Sequence, residues 1–125
     1  MANLDSLDIT PLIKEGTKII TSYSKSSFTI GEEKFEQDII ISASCVRAYK
    51  DVSDIAEYLG DAFHVILLYG AKNPEKANDL GSKIRNHFPH HNISTEIMQI
   101  GSAARTYNIL VAEGRDVIAI LELEG

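Results

Sequence analysis

Ser-Ala-Ala-Arg-Thr-Tyr-Asn-Ile-Leu-Val-Ala-Glu-Gly-Arg-Asp-Val-Ile-Ala-Ile-Leu, residues 102–121, places a helix, a glycine stop and a strand in one run. Ala103, Ala104, Tyr107, Leu110 and Val111 recur at the three-to-four residue period that puts them on one side of a helix. Ser102 suits the N-cap, because its hydroxyl can accept from the open amides of the first turn. Gly114 suits the left-handed position past the last turn, where a Cβ would clash. The spacing therefore predicts a helix over 103–113. Its other side is unusual: Arg105 and Asn108 are flanked by Ile109 and Ala112 instead of the Lys and Glu of a solvated face. This predicts a helix covered on both sides, with Arg105, Thr106, Asn108 and Glu113 in partly enclosed space and in need of partners. If Arg105 is buried and paired, Arg105→Ala should cost several kcal/mol.

Toward the N-terminus the pattern is β. Residues 18–23, 27–30, 34–36 and 38–42 are short β-branched and aromatic runs separated by Ser-Lys-Ser and Gly31-Glu32 turn signals, as in an antiparallel meander of three or four strands. Residues 1–16, broken by Pro11 and ending at Gly16, read as an N-terminal arm, and 17–125 as a single α/β domain. Residues 42–50 fit either a strand through Val46 or a loop.

The C-terminal half alternates helix and strand. Asp51 or Ser53 can cap a short helix stopped by Gly60. His64-Val65-Ile66-Leu67-Leu68-Tyr69 is a continuous apolar run, as expected of a strand covered on both faces, and is the candidate central strand. Asn73-Pro74 starts a helix that runs to about His87 on Ala77, Leu80, Ile84 and Phe88. Residues 93–98 form a strand, parallel to 64–69 through a right-handed crossover. Residues 116–123 form the last strand, whose direction the short link at 114–115 leaves open. The economical layout is α/β: a mixed sheet with three helices and the meander as an added layer, the helices lying between the two sheets in a β/α/β-like sandwich.

Composition narrows function. Twelve Lys and Arg are dispersed among eighteen Asp and Glu, for a net charge of −6, which argues against nucleic acid. No apolar run approaches the roughly 20 residues of a membrane span, and the start lacks the features of a secretory or transit signal. The expectation is a soluble cytoplasmic protein without membrane insertion. The single Cys45 cannot form an internal disulfide and reads as a small buried hydrophobe before it reads as a nucleophile. His87, His90 and His91 lack the Cys or carboxylate spacing of a metal site, so no metal and no cofactor is expected. His64, opening an apolar strand, reads as a hydrogen-bonded edge histidine.

The helices starting near Pro74 and Ser102 follow parallel-type strands, so both start at the carboxyl edge where α/β sheets hold ligands. Amides there, with Gly70, Lys72, Gly101 and Ser102, suit an anion. Tyr69-Gly70-Ala71-Lys72-Asn73-Pro74 is neither a dinucleotide fingerprint nor a phosphate loop. Arg105, Thr106, Asn108, Glu113 and Arg115 complete the candidate set. A network tying the helix to its neighbours and a ligand pocket both remain open. No Ser-His-Asp order, carboxylate pair or metal set marks a catalytic residue.

Ala103-Ala104-Arg105-Thr106-Tyr107-Asn108-Ile109-Leu110, then Glu113-Gly114-Arg115 and the strand 117–121, resembles the C-terminal motif of an uncharacterised domain family. Phe28-Thr29-Ile30-Gly31, the turn Gly70-Ala71-Lys72 and Ile97-Met98 extend the resemblance over most of residues 10–124. That family includes bacterial and archaeal stand-alone proteins, the mitochondrial respiratory complex I assembly factor 3 and an adipogenesis-associated cytosolic protein. Its pattern has Gly-Thr-Gly where this chain has Leu68-Tyr69-Gly70, Thr at Ile100 and Trp near Tyr49. The resemblance implies a mixed α/β fold with an added β layer, no established catalysis, and contacts with respiratory complex I (NADH dehydrogenase) subunits or assembly components, or with a second copy. Two functions follow as expectations: a non-enzymatic protein acting through protein contacts, or a small-molecule or anion-binding domain, an enzyme included, with its pocket at the helix start near Ser102.

Overall fold

The alternation of side chains along two strands builds two cores from one sheet. Ile39 and Ile41, with Ala119 and Leu121, point to one face; Ile40, Ile118 and Ile120 point to the other. All are essentially excluded from solvent, so both faces are covered. The computed structural model describes residues 14–125; of the expected arm, residues 1–13 lie outside the described residues.

Among the described residues the strands are β1 (Ile20–Tyr23), β2 (Phe28–Ile30), β3 (Glu33–Phe35), β4 (Ile39–Ile41), β5 (Val46–Ala48), β6 (Val65–Ala71), β7 (Ile93–Gln99) and β8 (Val117–Leu121). The helices are α1 (Ala56–Leu59), α2 (Leu80–His87) and α3 (Ile100–Ala112). β1, β2 and β3 form the antiparallel meander, and the second sheet runs β5-β4-β8-β6-β7. The fourth β run therefore leaves the meander: β4 pairs with β8, and residues 46–48 make its hairpin partner β5. β6 lies parallel to β7 and to β8, which fixes the direction of the last strand. The central position belongs to β8, with β6 beside it; all five residues of β8 are buried, as a strand paired on both edges and covered on both faces requires.

α3 lies between the sheets. Ala103, Ala104, Tyr107 and Val111 share a core with Ile20, Phe28 and Ile30 of the meander and Leu68, Ala119 and Leu121 of the larger sheet. α1 and α2 instead cover the opposite face, where Ile55, Leu59, Leu80, Ile84 and Phe88 pack on Leu67, Ile118 and Ile120. Each fully buried Ile or Leu side chain in these cores contributes roughly 1.5–3 kcal/mol of transfer free energy.

Helix ends differ from expectation where local chemistry competes. α3 starts three residues early, at Ile100, because β7 runs directly into it; its N-cap is Gln99, and Ser102 sits inside the first turn. Gly114 takes φ +78, and its amide bonds the Val111 carbonyl, closing the helix as read. Asn73-Pro74 starts only a 3-10 turn, Pro74–Lys76, and α2 proper begins at Leu80. Asp51 caps the 3-10 turn Val52–Ile55 ahead of α1, with the Asp54 carboxylate returning to the Asp51 amide.

Candidate functional site at the carboxyl edge

The parallel strands β6, β7 and β8 end side by side: Gly70 is level with Met98 and Leu121, and Ala71 with Gln99. After β6 the chain turns at Lys72, after β7 it enters α3, and after β8 it reaches Glu122. A cleft of about 420 Å³ opens on the α3 side of this edge, lined by Tyr23, Lys72, Gly101, Ser102, Arg105 and Glu124 among others. Four of the residues singled out from sequence therefore meet: Lys72, Gly101, Ser102 and Arg105.

Two features set the chemistry of this cleft. The N-cap Gln99 makes no side-chain cap bond, so the first-turn amides of α3 have no such partner. Among the described residues the ion pairs are Arg47–Glu57 at 2.7 Å and Lys83–Asp79 at 3.3 Å, and neither Lys72 nor Arg105 belongs to one. Arg105 is exposed, and its guanidinium donates one long bond, 3.4 Å, to the Tyr23 hydroxyl. Two cations and a positive helix end thus face one carboxylate, Glu124. The expectation of an enclosed Arg105 fails: the meander buries α3 at Asn108 and Tyr107, but at the first turn it reaches Gly101 and Arg105 through the Tyr23 hydroxyl and leaves the guanidinium exposed.

The other candidate residues lie elsewhere. Asn108 is buried with both amide atoms hydrogen-bonded: its Oδ1 accepts the Ile20 amide at 3.0 Å and its Nδ2 donates to the Ile20 carbonyl at 2.8 Å. Tyr107 beside it donates to the Lys18 carbonyl at 2.8 Å, and burial pushes its phenol well above the usual range. Gly70 lies outside the lining of the cleft, at a close approach; a Cβ there would lie 2.7 Å from the Leu121 side chain, 2.9 Å from Ala103 and 3.2 Å from the Ile100 backbone, so glycine lets α3 approach β6. Thr106 is half-buried on the flank of α3. Glu113 and Arg115 are exposed at the far end of that helix, and Arg115 borders a small cleft of about 160 Å³ at the amino edge of the sheet. His64 pairs with Ser94 at 2.7 Å. Cys45 is half-buried, and the Tyr58 hydroxyl lies 3.5 Å from its sulfur. His87 and His91 pack edge-on against Phe88.

Sequence reasoning missed a second cluster at the same edge, on the α2 side. Tyr69 donates its hydroxyl to Glu122 Oε2 at 2.9 Å, and the Lys72 amide donates to Oε1 at 2.8 Å. The Leu123 amide donates to Asp38 Oδ1 at 2.8 Å. Burial and then the Glu122 bond push the Tyr69 phenol well up; burial pushes Tyr49, edge-on to it at 6.4 Å, up to about 12. The available signal was a tyrosine ending an apolar strand and an acid following the last one; their juxtaposition requires the β6–β8 pairing, which periodicity does not supply.

No helix among the described residues is long and apolar enough to cross a membrane. Comparison with the curated proteins found no match. Among solved structures the chain is similar to an outer membrane protein from Bartonella henselae, with 27% identity over 86% of this chain and 96% of that one, TM-score 0.62. It is similar to a Bordetella pertussis protein described as a Mth938-like domain, 20% identical over 94% of this chain and 93% of that one, TM-score 0.60. A Xanthomonas campestris protein gives 20% identity over 87% and 86%, TM-score 0.63. The last two likenesses concern the fold: the chain has a Mth938-like α/β architecture. Residues 20–122 match the family described as protein of unknown function (DUF498/DUF598), a span covering most of the chain, so the chain belongs to that family.

Proposed function

We propose that the protein is a non-enzymatic binding domain that takes an anionic group, phosphate or carboxylate, in the cleft where α3 begins. The observation that carries this reading is the placement of Lys72 and Arg105, both outside any ion pair among the described residues, around a helix start without a side-chain cap. Amides at a helix start favour an anion, and a guanidinium adds a fork matched to its oxygens. Arg105 has only a long bond to give up on binding. The test is thermal unfolding in phosphate against chloride at equal ionic strength. At ten times its dissociation constant phosphate should add about 1.4 kcal/mol of stability. The Lys72→Gln/Arg105→Gln double variant should unfold at the same temperature in both salts; an equal phosphate effect in the variant overturns the reading.

A second reading rests on Phe63, 92% exposed in the link before β6 at the opposite edge of the sheet. An exposed aromatic of this size suits burial in a partner. Under this reading the protein works through contacts with respiratory complex I subunits or assembly components, or with a second copy of itself, in the cytoplasm. Affinity capture that recovers complex I subunits with the wild type and loses them with Phe63→Ser supports it; equal recovery with both overturns it.

A further inference from the structure

On the α2 side of the same edge a larger cleft, about 450 Å³, lies between the 3-10 turn Pro74–Lys76, the start of α2, and the residues flanking β4 and β8. That volume is in the range of small-molecule sites. Its walls carry fixed acceptors. Glu122 is held by the Tyr69 hydroxyl and the Lys72 amide, and Asp38 by the Leu123 amide, so each carboxylate is oriented by the fold while retaining lone pairs for another donor. Lys72 and Lys76 line the cleft outside any ion pair among the described residues, whereas Lys83 is engaged by Asp79. The surrounding segment has unusual charge for this chain: residues 72–91 hold four Lys and Arg against two Asp and Glu, in a protein whose net charge is −6. The half-buried Tyr69 and the buried Leu80 add apolar surface.

We propose that this cleft binds a phosphorylated polyol of sugar-phosphate size, with Lys72 and Lys76 on the phosphate, Asp38 and Glu122 accepting from hydroxyls, and Tyr69 and Leu80 against the carbon skeleton. Fixed carboxylates beside free ammonium groups suit a ligand that carries both an anion and neutral donors; a bare anion would meet the carboxylates unfavourably. The site is separate from the α3-side cleft and stands without it, although Lys72 borders both.

The probes are glucose 6-phosphate, inorganic phosphate and sorbitol, followed by amide resonances of the full chain. Glucose 6-phosphate should move Asn73, Lys76 and Leu123 saturably, at least about threefold more tightly than either inorganic phosphate or sorbitol. Lys76→Gln, on an exposed turn, should weaken it by about threefold, the order of one exposed charge contact. Arg105→Gln should leave it unchanged. No saturable movement up to about 10 mM, a millimolar-class limit, overturns the proposal. So does phosphate or sorbitol binding there as tightly, or an unaffected Lys76→Gln. Failure of the α3-side reading shows separately, on Gly101 and Ser102 and in the response to Arg105→Gln.

Discussion

Asn108 in the middle of α3 pairs with both backbone groups of Ile20 on β1, accepting its N–H at 3.0 Å and donating to its C=O at 2.8 Å, across 88 residues of chain. The carboxamide thus presents a donor and an acceptor side by side, like a short piece of neighbouring strand, and it does so where no water reaches. Asn108→Ala would strand a buried donor and a buried acceptor. The expected loss is about 2–4 kcal/mol in chemical denaturation. Asn108→Asp should cost at least as much, since it sets a carboxylate against the Ile20 carbonyl. A loss under about 0.5 kcal/mol for Asn108→Ala, typical of surface positions, would contradict this role.

Arg105, one helical turn earlier, has the opposite character. It is exposed and donates one long bond. Arg105→Ala should therefore change stability by less than about 0.5 kcal/mol, as at ordinary surface sites. Equilibrium unfolding in urea, with the slope compared as well as the midpoint, checks this; a loss of several kcal/mol would mean the side chain is enclosed after all.

Gly70 is a packing position. Adding a methyl group forces β6 away from Leu121, Ala103 and Ile100 together. Gly70→Ala should cost about 1–3 kcal/mol, the range for overpacking, and should shift amide resonances in the first turn of α3. Resonances of that turn left in place would show that the helix start is not set by this approach.

Tyr49, Tyr58, Tyr69 and Tyr107 all have phenols raised above their ordinary value, in each case chiefly by burial. A raised folded pKa means that the folded state keeps a proton the unfolded state releases. The stability these groups contribute is present below pH of about 10, the unfolded value, and is lost as pH rises beyond it. Denaturant midpoints measured between pH 8 and 11.5 should be flat on this account at the low end and fall above about pH 10. The prediction fails if the midpoint rises or stays level through that range while phenolate absorbance at the alkaline end reports ionisation without unfolding.

What was legible in the sequence was what one element encodes by itself. The apolar stripe of α3, its stop at Gly114 and the uninterrupted run of β6 each announce their burial locally, and so does the polar second face that led to Asn108. The capping of α3 was misread because Ser102 is a good cap in isolation, while β7 runs without a break into the helix and hands the position to Gln99. Pro74 promised a helix start but supplied only a 3-10 turn. The transfer of residues 39–41 to the larger sheet, and with it the approach of Asp38, Tyr69 and Glu122, depends on which strands pair. Pairing over 80 residues leaves no mark on local periodicity.

Titration of the isotopically labelled full chain with inorganic phosphate, read at the amides of Gly101 and Ser102, tests the functional account most directly. The account predicts saturable shifts at those two amides, larger than at any amide of α1 or at the far end of α3, and their loss in the Lys72→Gln/Arg105→Gln double variant. Unsaturable drift spread over the surface, or the same saturable shifts in the double variant, would contradict it.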